Sequence, residues 1–384
     1  MLFVGNQVYV AIKVNGELIP LTGGQLQSLT ITESCNQFLP TIEMELIDQS
    51  GLLASDAGVH DGSIISVALA RDQHEIGSSW RDFLCFPRRY RPLQVGFLVK
   101  IVGYLNFPKY LIGGSYGCFD ASASDVVKST AINCGLKAKV DSSNDKMVWI
   151  QTGQTNAKFV REVSLHAWSD NNSAFITAVN RDGELLFYDI SRQRSKNPKW
   201  NFQCVSDPAN AINNENVIWV SEDDYGVEFH SDLFNITAGY GLAQRYHDFK
   251  SGVSKFEGTG GYTPHTDKLM VSKDIEGARF SYGDEDIGNV HSKYNLARIQ
   301  NLRNRALYST CVSCIGIMPK QVNLMDRVQF SYLDRSKDRL GNVLDGAYFV
   351  ERIVQTIGPS VYMIKYGLIR EGINTTDKNI GLLG

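Results

Sequence analysis

Hydrophobic and polar positions alternate with a period of two through the first hundred residues. Val8, Val10, Ile12 and Val14 take turns with Tyr9, Ala11 and Lys13, and Asn15-Gly16 then makes a turn. Leu29 and Ile31 are interleaved with Thr30 and Thr32, and Ile42, Met44 and Leu46 with Thr41, Glu43 and Glu45. Such alternation gives a strand one buried and one wet face. Further strands are expected over Ile64–Ala70 and Gly96–Tyr104, with the long polar and aromatic insertion RDQHEIGSSWRDFLCFPRRYRP between them. Several short strands separated by turn residues predict a barrel or sandwich over residues 1–105.

The period then changes. In the mixed stretch 106–205, Ser122 or Ser124 can cap a helix with Asp125 in its first turn; Val127, Ala131 and Cys134 share a face, and Gly135 supplies a stop. From Trp149 a short extended run ends at a Thr, and Phe159, Val163 and Ala167 follow at helical spacing with Val160 beside them. Apolar runs at 174–179 and 185–190 flank Asn180-Arg181-Asp182-Gly183, a hairpin signal because Gly tolerates the positive φ of a tight turn. SRQRSKNPKW reads as a basic, exposed connection.

Residues 206–235 hold a strand pair, Val217–Val220 and Val227–Phe229, around SEDDYG. Residues 236–289 are Gly-rich and weakly periodic, either a long ordered loop or a mobile excursion. A helix is expected over 290–308, with Leu296, Ile299, Leu302 and Ala306 on one side and Lys293, Arg298, Arg303 and Arg305 around the rest. Residues 310–370 return to strands, punctuated by Asp345-Gly346 and Gly358-Pro359, and 371–384 read as a tail. The fold class is therefore α+β and predominantly β.

At 384 residues the chain has room for about two to four domains. A formal charge of −3 does not suit a protein that grips nucleic acid by bulk charge. No basic leader precedes an apolar run, and no apolar stretch approaches the roughly 18–20 residues that span a bilayer, so membrane insertion is not expected. The seven scattered cysteines fit reduced thiols in a cytoplasm.

Candidate chemistry is thin. His74-Glu75 opens like a zinc-protease helix, but position 78 is Ser, so one helical face cannot offer two imidazoles. Cys311-x-x-Cys314 lacks further ligands at close spacing and reads as buried thiols. GTGG at 258–261 and GGSYG at 113–117 lack the strand–loop–helix setting of a phosphate cradle. The acidic clusters Glu222-Asp223-Asp224 and Asp284-Glu285-Asp286 sit in polar turns, where solvated acids are the default; a wall hydrolase would need two placed carboxylates or a metal-bound water. No catalytic, cofactor or metal site is expected.

The unit FVREVSLHAWSDNNSAFITAVNRDGELLFYDI and the late stretch from ALYSTCVSCIGI to SVYMIKYGLI resemble the central baseplate hub of contractile, T4-type phage tails, a family related to the hub part of secretion-system spike proteins. In that family a Gly/Met-Asp-x-Val step opens a late strand pair; here it is Met325-Asp326-Arg327-Val328, where many relatives place Gly. The resemblance implies two tube-like β-barrel domains with mixed α/β regions inserted. The first would be residues 1–105; the second would be split over 206–235 and 306–370; 106–205 and 236–305 would form a cup. It implies a non-enzymatic homotrimer. Six tube domains would form a pseudo-sixfold ring between a sixfold tail tube (or tube initiator) and a threefold central spike on a separate polypeptide. Other baseplate proteins would be neighbours, DNA would pass without specific binding, and the protein would lie in the virion after assembly in the host cytoplasm.

On that reading Trp80, Arg81, Phe83, Phe86, Arg88, Arg89 and Tyr90 are candidate contacts to an adjacent ring or subunit, since aromatics and Arg anchor protein interfaces; the alternative is a loop folded on its own barrel. Glu43 and Glu45, on one strand face, are candidates to line the channel; the alternative is a plain solvated face. Two other functions stay open: a tail-associated peptidoglycan hydrolase, and the hub of a contractile secretion or bacteriocin particle.

Overall fold

A computed structural model describes residues 2–4, 8–20, 24–51, 53, 58–205, 215–229, 243–248, 251–258, 268–269, 280–282, 290–308, 310–316, 322–332, 344–359 and 361–373. The GTGG turn, the acids Asp284–Asp286, most of 236–289 and the tail beyond Ile373 lie outside these residues.

The first β region contains β1 (Val8–Val14), β2 (Leu26–Ser34), β3 (Thr41–Asp48), β4 (Ser63–Ala70), β5 (Trp80–Pro92) and β6 (Phe97–Leu105). The mixed region follows with β7 (Tyr116–Ala121), α1 (Ala123–Asn133), β8 (Lys137–Val140), β9 (Met147–Thr152), α2 (Asn156–His166), β10 (Phe175–Val179) and β11 (Glu184–Asp189). The second β region contains β12 (Trp200–Val205), β13 (Val217–Phe229), β14 (Thr310–Gly316), β15 (Arg327–Tyr332), β16 (Gly346–Ile357) and β17 (Tyr362–Arg370), with helix α3 (Tyr294–Leu307) between β13 and β14. Trp200–Val205, expected within the basic connection and mixed region, is instead a strand of the second sheet circuit.

The two β regions share a plan. The first runs β1-β4-β5-β6-β3-β2 and the second β12-β15-β16-β17-β14-β13. Each strand of one thus has a counterpart at the same place in the other. All pairs among the last five strands of each list are antiparallel in both. The leading strand differs: β1 is antiparallel to β4, whereas β12 is parallel to both β15 and β13 and so closes the second circuit into a six-stranded barrel. Among the described residues β1 and β2 do not pair, and the first circuit stays open there.

Many local signals place elements as the sequence leads one to expect, with two corrections. The expected insertion after Ala70 holds the thirteen-residue strand β5, and the expected strand pair around SEDDYG is the single strand β13, irregular between Val220 and Tyr225, because cross-strand pairing on both sides outweighs the polar composition. Alternate residues of β3, Ile42, Met44 and Leu46, are buried and Glu43 is exposed. Ser122 caps α1, its Oγ accepting from the Asp125 N–H, and Thr155 caps α2 in the same way, its Oγ accepting from the Lys158 N–H. Met325 has φ of 61°, in the left-handed region that favours glycine. Among the described residues no helix is long and apolar enough to cross a membrane.

Two cores result. One joins the first circuit to α1, α2 and one face of the β10–β11 hairpin, including Phe83, Phe159, Phe175 and Phe187. The other fills the second circuit around Phe202, Phe330 and Tyr366 and takes Ala174, Ala178 and Leu186 from the hairpin's other face. A hairpin buried on both faces needs an unbroken apolar run, which ELLFYD nearly is.

Candidate functional site

The joint between the two β regions is where the chain concentrates its specific interactions. β16 is long enough to serve two partners along one edge. Arg327–Phe330 of β15 pair with its first residues, and Leu29–Ser34 of β2 pair with Arg352–Ile357. The sheet therefore runs without a break from one circuit into the other. Glu351 fastens the splice: its Oε1 accepts from Ser34 Oγ and Asn36 Nδ2, each at 2.8 Å, and its carbonyl accepts from the Cys35 N–H at 3.0 Å.

The tip of the β10–β11 hairpin enters this joint. Gly183, at φ of 68°, makes the turn possible, and a Cβ there would lie 2.6 Å from the Phe107 ring. The turn presents Arg181 and Asp182. Arg181 Nη1 lies 3.2 Å from Glu33 Oε1, the Arg181 N–H donates to Glu33 Oε2 at 2.7 Å, and Nη2 donates to the Val322 carbonyl at 2.7 Å. Asp182 receives Arg81 Nη2 at 2.7 Å, and Arg81 Nε donates to the Arg181 carbonyl at 3.1 Å. β2, β5 and the approach to β15 are thus held by one turn. Burial pushes the Glu33 carboxyl above the usual carboxylate range, against the pull of Arg181. Burial also works against the Arg181 charge, but the Glu33 and Asp182 carboxylates outweigh it and hold the guanidinium above its ordinary value.

Helix α3 braces the mixed region from behind. Asn301 donates through Nδ2 to the carbonyls of Leu165 and Ala167 at 2.8 and 2.9 Å and accepts the Phe175 N–H at 2.7 Å. It thereby satisfies carbonyls that the end of α2 leaves without an intrahelical partner. Gln300 Nε2 donates to the Ser173 carbonyl at 2.7 Å, and Arg305 Nε to the Phe175 carbonyl at 3.0 Å. Burial lowers the Arg305 guanidinium to about 10, with Arg161 adding to the effect. The His166 ring stacks on Tyr294 at 3.7 Å, and its Nδ1 lies 3.2 Å from the Tyr294 carbonyl. Burial lowers the His166 imidazole to about 3, the Tyr294 carbonyl opposing.

The candidate contact residues of β5 divide into two groups. Trp80 is covered by the Lys13 ammonium at 4.1 Å, Arg81 is engaged with the hairpin tip, and Phe83 is fully buried in the first core. Phe86 is half-buried, whereas Arg88, Arg89 and Tyr90 are exposed. Glu43 and Glu45 lie on the wet face of β3 with the Lys100 ammonium of β6 between them, bonded to Glu43 and 3.4 Å from Glu45. Cys311 and Cys314 are both buried, and burial pushes the Cys314 thiol up, away from the thiolate a metal would need. Among the described residues no group of three metal-ligating side chains comes together. Sequence periodicity marked Leu296 and Ile299 on α3 but missed Asn301 and Gln300, because a buried amide looks like a surface one until its partners are known.

No protein-family model matches the chain, and no curated protein matches its sequence. Solved structures do match over nearly its full length. The 43 kDa tail protein of prophage MuSo2 from Shewanella oneidensis superposes with a TM-score of 0.59 at 11% identity, covering 96% of this chain and 100% of its own. A tail protein from Neisseria meningitidis gives 0.55 at 9%, covering 96% and 98%. An E. coli component of the type VI secretion system, described as structurally similar to T4 tail proteins, gives 0.50 at 9%, covering 95% and 79%. At 9–11% identity, this chain has the predominantly β fold of phage tail proteins, the fold class that its resemblance to the baseplate hub implies.

Proposed function

We propose that this protein is a structural hub of a contractile tail baseplate, working by packing and symmetry matching rather than by catalysis. One observation carries the reading: a single chain holds two β circuits of the same strand order, spliced edge to edge by β2 and β16. A subunit with two like modules suits a junction where three copies meet a sixfold structure on one side and a threefold one on the other. In this reading residues 1–105 are the first module and residues 200–235 with 306–370 the second. The mixed region and α3 form the cup that receives a spike, and three chains enclose a channel through which DNA passes. The tail tube and other baseplate proteins are neighbours, and the assembled particle is the virion, built in the host cytoplasm. The structural match to a secretion component supports the related reading of a secretion or bacteriocin particle, whose mechanics are the same; neighbouring genes distinguish the two.

Light scattering on the chain, alone and with its spike protein, tests the proposal. A trimer is expected. A monomer under both conditions overturns it. Release of muropeptides from purified cell walls, lost on changing Asp223, would replace it with the hydrolase reading.

A further inference from the structure

Among the described residues the joint inside the chain has a counterpart edge in each circuit that no strand occupies. In the first circuit β5 stands where β16 stands in the second. It pairs with β4 over Trp80–Cys85 and with β6 over Phe83–Pro92, so among the described residues no strand pairs with its outer edge from Phe86 to Pro92. In the second circuit β13 stands where β2 stands in the first. It pairs with β12 over Val217–Ser221, and no described strand pairs with that edge over Gly226–Phe229.

Register fixes which residues correspond. Counting back from the hairpins that join β5 to β6 and β16 to β17 sets Pro92 with Ile357, Tyr90 with Gln355 and Arg89 with Val354. Counting across β3–β6 and β14–β17 sets Glu228 with Thr32, Val227 with Ile31 and Gly226 with Thr30.

We propose that the outer edge of β5 pairs, antiparallel, with this edge of β13 in a second copy of the chain, repeating between chains the joint that β16 and β2 make within one. Transferring the internal register puts Arg89 opposite Glu228, Tyr90 opposite Val227 and Arg91 opposite Gly226. The segments carry opposite charge: Arg88, Arg89 and Arg91 on one strand, Glu222, Asp223, Asp224 and Glu228 on the other. Opposite charges across a strand pair select the partner, and like ones reject two copies of the same edge. Pro87 and Pro92 donate no N–H, so β5 is a poor template for arbitrary strands and depends on the charge match. Internal and external joints then alternate around the ring. The inference rests on the trimer proposed above.

The experiment is disulfide trapping of the full chain carrying Arg89→Cys and Glu228→Cys, with the spike protein present. Antiparallel partners sit about 4.5–5.5 Å apart at Cα, within disulfide reach. Mild oxidation should give a covalent trimer on a non-reducing gel, and neither single variant should. Separately, Arg89→Glu with Arg91→Glu should weaken assembly about tenfold, and adding Glu228→Arg should restore part of it. A trimer by light scattering that neither cross-links nor responds to charge reversal overturns this joint and leaves the trimer standing. A monomer throughout overturns both.

Discussion

The two β circuits solve one problem in two ways. In the second, β12 slips in parallel between β13 and β15 and closes the barrel, and the core of Phe202, Phe330 and Tyr366 adds only the buried Ala174, Ala178, Leu186 and Ile190 from the mixed region around the hairpin. In the first, β1 runs the other way and among the described residues does not pair with β2, and the core is shared with α1, α2 and the hairpin. A cavity of about 570 Å³ lies beside this circuit, lined by its Val8, Ile31, Val67 and Leu69 together with Arg181, Trp200, Tyr362 and Ile364. Closure removes sheet edges at once; an open circuit must have them covered by something else. The same strand order therefore yields a closed module and a dependent one, which shares its core with α1 and α2 of the mixed region as well as with the hairpin that both modules touch.

Truncating one aromatic in each core tests that difference most strongly. Phe330→Ala should cost about 5 kcal/mol in urea unfolding, because a closed barrel cannot collapse into the space, whereas Phe83→Ala, in the core of the circuit that stays open among the described residues, should cost about 3 kcal/mol because that core can relax further. Equal losses would mean that the open side is as rigid as the closed one. The joint comes next. Glu33→Leu leaves the Arg181 charge buried beside apolar atoms and should cost about 4 kcal/mol. Arg181→Leu should cost about 3 kcal/mol, since Glu33, already pushed upward by burial, can take a proton and Arg181 cannot lose one. The reverse ranking at pH 7 would show that the pair is not held as described.

Much of this was legible from residues alone. Alternation over Val8–Val14 and Thr41–Asp48, the caps at Ser122 and the stop at Gly135, and the Asp-Gly hairpin at 180–183 are local signals, and the structure forms each of them. The joint was not legible. Arg181 and Asp182 read as ordinary polar turn residues, and only the fold brings Glu33 and Arg81 to them from 148 and 101 positions away. The strand Trp200–Val205 was missed because a basic run leads into it and its pairing is parallel, with one of its two partners, β15, more than a hundred residues along the chain. The buried amides of α3 were missed for the same reason: their partners are the carbonyls ending α2, more than a hundred residues earlier.

The dependent module should also be the acid-sensitive one. His166 is neutral in the fold, held down to about 3 by burial with Arg298 and His291 adding to the effect, and His291 is itself lowered by burial. In the unfolded chain both take up a proton near the ordinary histidine value of about 6.5. Below that pH the unfolded state binds protons that the folded state does not, so stability falls as pH drops from about 6.5 towards 3. For His166 alone the loss should be about 2 kcal/mol by pH 5. Urea unfolding at pH 7 and pH 5 checks it, and His166→Phe, keeping the stack on Tyr294, should flatten the slope. An unchanged slope in that variant would move the effect elsewhere.

The smallest effect bears on what the two circuits share. Thr356 of β16, Thr30 of β2, Glu43 of β3 and Val102 of β6 are successive partners across the joint, so one wet face spans both modules. Lys100 sits on it between Glu43 and Glu45, and its hydrogen bond to Glu43 holds the ammonium above the usual lysine range. Removing it with Lys100→Met turns a trio of net charge −1 into a pair of −2. Because all three groups meet solvent, stability should change by only about 0.5 kcal/mol and the change should fade with added salt. A loss of several kcal/mol, unaffected by salt, would mean that this face is packed against something, and would remove Glu43 and Glu45 from any open channel wall.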